Sequence, residues 1–121
     1  MHSFRKHVAP ALLSILMTGG PVLADEMPVI EVTLNDGVVT PQHIEVEAGK
    51  PFKLLIRNIG TTAAEFESLR LYKEKVLAPG AESFLVFRKL SPGTYPFFEE
   101  FHMNLDSANG TITAKQADAG E

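Results

Sequence analysis

The chain has 121 residues, with eleven basic and fifteen acidic side chains, a formal net charge of −4 and no cysteine. The acidic balance argues against nucleic acid, which selects a basic face, and is compatible with cationic partners, metal ions among them. The lack of cysteine excludes disulfides and any thiolate-held centre.

In chain order, the first feature is a leader. Arg5 and Lys6 precede an apolar run from Val8 to Met17, and Val22 and Ala24 then provide the small-residue spacing read by a signal peptidase. Residues 1–24 are therefore expected to be a cleaved secretory signal peptide, which sends the protein to the periplasm. An uncleaved anchor is the weaker alternative, because the run is far short of the ~20 residues a span needs and Pro10 interrupts it. Cleavage leaves 97 residues with nine basic and fifteen acidic side chains, a charge of −6. That is one small domain, expected over residues 25–115, followed by a small, polar and frayed tail over 116–121.

From Pro28 onward the pattern has period two. Ile30, Val32 and Leu34 alternate with Glu31 and Thr33 up to a turn at Asp36-Gly37. Ile44 and Val46 share one face of the next segment, opposite His43, Glu45 and Glu47. Phe52, Leu54 and Ile56 point inward, with Lys53 and Arg57 outward. After a loop at "GTTAA", Phe66 takes one face of "EFES" while Glu65 and Glu67 take the other. The span "LRLYKEKVLA" fits either a helical turn or packing at a strand edge. "ESFLVFR" follows the Pro79-Gly80 turn, "SPG" turns directly into "TYPFF", and "GTITAK" closes the domain. About seven short strands with Pro and Gly turns predict an all-β sandwich, and the alternation predicts antiparallel sheets with one wet face.

Two longer stretches resemble a known family. "TPQHIEVEAGKPFKLLIRN" is similar to the opening half of cupredoxins, and "LAPGAESFLVFRKLSPGTYPFF", with the following "FH" and "GTITA", to the closing half. The resemblance covers roughly residues 29–115 and implies a cupredoxin-like Greek-key β-sandwich. Within it, the Glu-x-Glu of "EFES" stands where blue-copper proteins carry their first histidine ligand. In "GTYPFFEEFH" an acid replaces their cysteine. Both features resemble the cysteine-less cupredoxin-like proteins of bacterial periplasmic iron uptake, whose relatives occur beside an iron permease. Two positions depart from the copper pattern: spacing places the first histidine at Ala64 and the methionine near Ala108, and neither side chain binds metal.

The resemblance implies a carboxylate and imidazole site. Tyr95, Phe97 and Glu99 share strand parity, opposite Pro96, Phe98 and Glu100. In a cupredoxin the Glu99 position points into the metal site, and His102 comes round from the next loop. The expected ligands are therefore Glu99 and His102 first, then Glu67 and Glu65 from a neighbouring strand, then Met103. Glu100 is expected to face solvent. Oxygen and imidazole donors suit iron or copper(II), and Met103 would favour copper(I), while a type 1 blue copper centre is excluded without a thiolate. On the residues alone, the Glu-Glu pair reads first as a solvated loop edge, His102 as a packed or surface histidine, and Met103 as apolar loop packing.

Three functions follow from this reading. The first is a periplasmic metal-binding component of ferrous iron uptake that passes iron to an inner-membrane permease or another uptake component, with possible help to ferrous oxidation. The second is a copper carrier or copper-tolerance protein. The third is a metal-free interaction module on the same fold. No Gly-x-Ser-x-Gly or Ser/His/Asp pattern points to a hydrolase.

Overall fold

The computed structural model describes residues 27–117. The predicted leader, and residues 118–121 of the predicted tail, lie outside them. Nine strands form two sheets: β1 (Val29–Asn35), β2 (Val38–Thr40), β3 (His43–Glu47), β4 (Phe52–Asn58), β5 (Ala64–Ser68), β6 (Lys73–Leu77), β7 (Glu82–Phe87), β8 (Gly93–Glu99) and β9 (Asn109–Lys115). Sheet order is β2-β1-β4-β7 in one layer and β3-β9-β8-β5-β6 in the other. Two 3-10 turns, Glu100–His102 and Asp106–Ala108, bridge β8 to β9.

The count of nine exceeds the predicted seven for two reasons. β2 has three residues, too few to show alternation, and pairs antiparallel with the end of β1. β6 occupies "KEKVL", within the span that fits a helical turn or an edge. Here Leu69 to Tyr72 form a turn, with Tyr72 N–H donating to the Leu69 carbonyl at 3.2 Å, and the edge strand follows. The sheets also differ from the antiparallel expectation: β1 pairs parallel with β4, and β3 pairs parallel with β9. Alternation reports which face a residue takes, not the direction of the neighbouring strand.

The inward faces are the predicted ones. Val32, Leu34, Phe52, Leu54, Ile56, Phe66, Phe97 and Ile112 are all at most 2 % exposed. Phe52 stacks on Phe87 at 4.8 Å between centroids, and Phe66 on Phe97 at 5.0 Å. Gly110 sits where β9 passes Phe97; a Cβ there would lie 2.6 Å from the ring and 2.5 Å from the Gln42 carbonyl oxygen. Only glycine permits that approach.

One end of the sandwich is pinned by polar groups. Asn58, 1 % exposed, donates from Nδ2 to the Thr62 and Leu77 carbonyls at 2.9 and 3.0 Å. Its Oδ1 accepts the Gly60 N–H at 3.0 Å. Asp36 accepts both main-chain N–H groups and both hydroxyls of Thr61 and Thr62, and so ties the β1–β2 turn to the loop before β5. At the edge, β6 turns Lys75 and Lys73 to the same side as their partners Phe66 and Ser68, while Glu74 lies on the other side with Glu67. The Lys73 ammonium rests 5.4 Å over the Phe87 ring. Charged side chains turned inward at an edge strand discourage pairing with another chain.

Candidate metal centre

Four of the five predicted site residues, Glu65, Glu67, Glu99 and His102, lie at the end where β8 leaves the sheet, in two groups on opposite sides of it. Strand parity decides the division. Phe66 pairs with Glu99 and Glu67 with Phe98, so Glu99 shares the inner side with Phe66 and Phe97. Glu65 and Glu67 take the outer side.

The inner group is Glu99 with His102. Glu99 is fully buried. Its Oε2 accepts the Glu65 and Phe101 N–H groups, each at 3.0 Å. Its Oε1 accepts a short hydrogen bond from His102 Nδ1. With Nδ1 as the donor, the other ring nitrogen of His102 is left for other contacts. Three donors offset the desolvation that makes a buried carboxylate unfavourable. Glu99 is also the N-cap of the 3-10 turn that carries Glu100, Phe101 and His102.

The outer group is Glu65, Glu67 and Glu100, each half-buried, with one carboxylate oxygen from each within 4.8 Å of the others. Glu74, opposite Glu67 on β6, adds a fourth acid to this face. Among the described residues, no lysine, arginine or histidine forms an ion pair with any of these four. The crowding shows in their acidities. The Glu67 carboxyl is pushed up to about 7, first by the hydrogen bond it shares with Glu100, then by burial, and then by the charges of Glu100, Glu74 and Glu65. Glu65 is also raised, mainly by burial and then by Glu74, Glu100 and Glu99.

Glu100, expected to face solvent, is thus the missing third member of the outer group. It does lie on the outer side, as parity requires. Its place beside Glu65 comes from the 3-10 turn that begins where β8 ends, opposite Phe66, and strand alternation does not show that turn. Met103 joins neither group: its side chain is about half exposed in the loop after His102, and its carbonyl accepts from Asn109 Nδ2 at 3.1 Å.

A blue-copper centre does not fit these residues. The chain has no thiolate. Ala64 and Ala108 are buried at the positions expected for histidine and methionine and carry no donor atom. Both oxygens of Glu99 are already engaged by protein donors. The outer trio is an oxygen-only set, the donor type that suits hard cations such as magnesium, calcium and manganese.

Comparison with known proteins agrees with the fold. A family model described as a cupredoxin-like domain matches residues 8–114. An uncharacterized protein of Rickettsia prowazekii, RP394, is 33% identical over 88 residues, covering 73% of this chain and 69% of that one. Among solved structures, the metal-binding domain of the Streptococcus pneumoniae Cu(I)-exporting P-type ATPase CopA superposes with a TM-score of 0.66 at 16% identity, covering 78% of this chain and 92% of that one. Reduced auracyanin from Roseiflexus castenholzii superposes with a TM-score of 0.61 at 18% identity, covering 71% and 95%. The two-layer sandwich, the family match and these neighbours lead to one conclusion: the chain belongs to the cupredoxin-like domain family.

Proposed function

We propose that this protein is a periplasmic metal-binding component of an iron uptake system, holding its cation on Glu65, Glu67 and Glu100 and passing it to a membrane permease. One observation carries this reading: three carboxylates converge within 4.8 Å with no cationic side chain paired to them among the described residues. Such a trio repels itself when ionised, and a bound cation relieves that repulsion. Carboxylate oxygens favour hard cations, ferric iron among them, over soft copper(I). The open outer face leaves room for a partner to approach the ion.

Titrating the purified protein with Fe(II), Fe(III), Cu(II) and Cu(I) tests the reading. Iron is expected to bind, and Glu67→Gln and Glu100→Gln each to weaken it at least tenfold. Unchanged affinity in both variants refutes the site. Stability unmoved by any of the four ions favours the metal-free interaction module, since a ligand that binds only the folded state must raise its stability.

The copper-carrier reading has one feature of its own. His102 is about a quarter exposed and is followed by the half-exposed Met103, an imidazole and thioether pair suited to copper(I). A preference for Cu(I) that is lost in Met103→Leu, with Glu67→Gln silent, would select it over iron.

A further inference from the structure

We infer that Glu99 is the positioning residue of the cation site, a buried strut that sets Glu65 and Glu100 in place without itself binding the ion. This rests on the cation reading above and gives the cysteine position of the copper proteins a different use.

The geometry is specific. β5 runs on past the last residue of β8, so the Glu65 N–H faces a gap in the ladder. The Glu99 carboxylate fills that gap and accepts it at 3.0 Å. The same oxygen accepts the Phe101 N–H at 3.0 Å, which fixes the 3-10 turn whose first residue is Glu100. One buried oxygen therefore holds the main chain at Glu65 and directly after Glu100. His102 holds the other oxygen and stops the carboxylate from rotating.

A ligand role competes with this arrangement. To reach an ion on the outer face, Glu99 would have to leave the core side of β8 and release three donors. Two are main-chain N–H groups that need an acceptor wherever they are screened from water. A strut has no such conflict, and it orders two of the three carboxylates before an ion arrives.

Two substitutions separate the roles, because both remove the Glu99 carboxylate and only one removes the main-chain hydrogen bonds. In Glu99→Gln the amide oxygen still accepts from Glu65 and Phe101, and the amide NH2 donates to His102 Nδ1 once the imidazole takes its other neutral tautomer. In Glu99→Ala the donors are left unpaired. Mn(II) affinity is measured at a temperature where both variants are folded, with Val32→Ala in the far sheet as a destabilised control expected to bind like wild type. Glu99→Ala is expected to bind at least tenfold more weakly than Glu99→Gln. Equal affinities in the two variants overturn the positioning role. Amide exchange supplies a second readout that does not need the alanine variant to fold: the Glu65 and Phe101 amides should exchange slowly in cation-free wild type and in Glu99→Gln. Rapid exchange at either in the wild type overturns the strut. A wild type that binds neither Mn(II) nor iron sinks the cation reading, and the positioning role with it. Binding with equal variant affinities sinks the positioning role alone.

Discussion

Replacing Asn58 tests whether the end of the sandwich is held by side-chain hydrogen bonds. Asn58→Ala leaves the Leu77 carbonyl without its buried donor, and strips partners from the Thr62 carbonyl and the Gly60 N–H, which are nearer to water. An unsatisfied buried group costs about 1–3 kcal/mol, and one that water can reach costs less. With one buried and two part-buried groups released, the expected loss is about 3 kcal/mol, a fall in Tm of roughly 12–24 °C for a domain of this size. Asn58→Asp sharpens the test. It keeps the shape and the acceptor for Gly60, but it aims a carboxylate oxygen at two carbonyls. At neutral pH it should be at least as damaging as alanine, and it should recover on acidification as the new carboxyl gains a proton to donate. Urea denaturation monitored by circular dichroism, at neutral and mildly acidic pH, measures both variants. An Asn58→Asp protein as stable as wild type at neutral pH would refute the assigned donor directions.

Other outcomes follow from the same structure. The raised Glu67 carboxyl binds its proton more tightly in the folded state, so cation-free stability should fall as pH rises from about 4.5 through about 7; Glu67→Gln should flatten that slope in thermal melts while weakening cation binding. Asp36 behaves oppositely. Its carboxyl is held below the usual value by the Thr62 and Thr61 hydrogen bonds, so its contribution is present above about pH 4 and lost as pH falls through its lowered value, a loss that Asp36→Asn should remove in acid titrations. Gly110→Ala should destabilise by about 2 kcal/mol in urea melts, because the new methyl overlaps the Phe97 ring and the Gln42 carbonyl.

Much of this molecule can be read from alternation. Tyr95, Phe97 and Glu99 follow one parity, and all three are buried. The same rule sends Glu65 and Glu67 to the other side from Phe66. Alternation is a property of one strand, so it cannot say which strands pair or in which direction. That is why the parallel β1–β4 and β3–β9 pairs, and the end of the β5–β8 ladder that sets Glu100 among the outer acids, are not legible in the sequence. β6 escapes notice for a related reason: of its five residues only Leu77 is fully buried, and lysines occupy the positions where apolar residues would mark a strand. The nearness of Glu99 and His102 is implied by the family resemblance and not by alternation. The division of the acids into an inner and an outer group needs the pairing as well.

The alternating charges of β6 make electrostatics depend on alignment. Glu74 stands beside Glu67, while Lys73 and Lys75 lie on the reverse side of the ribbon. Sliding this ribbon by a single residue would exchange the two sets and bring ammonium groups against the carboxylates. A misaligned chain would then carry its own counter-ions in the place meant for a metal. Correct alignment of one five-residue margin is thus a condition for affinity as well as for shape.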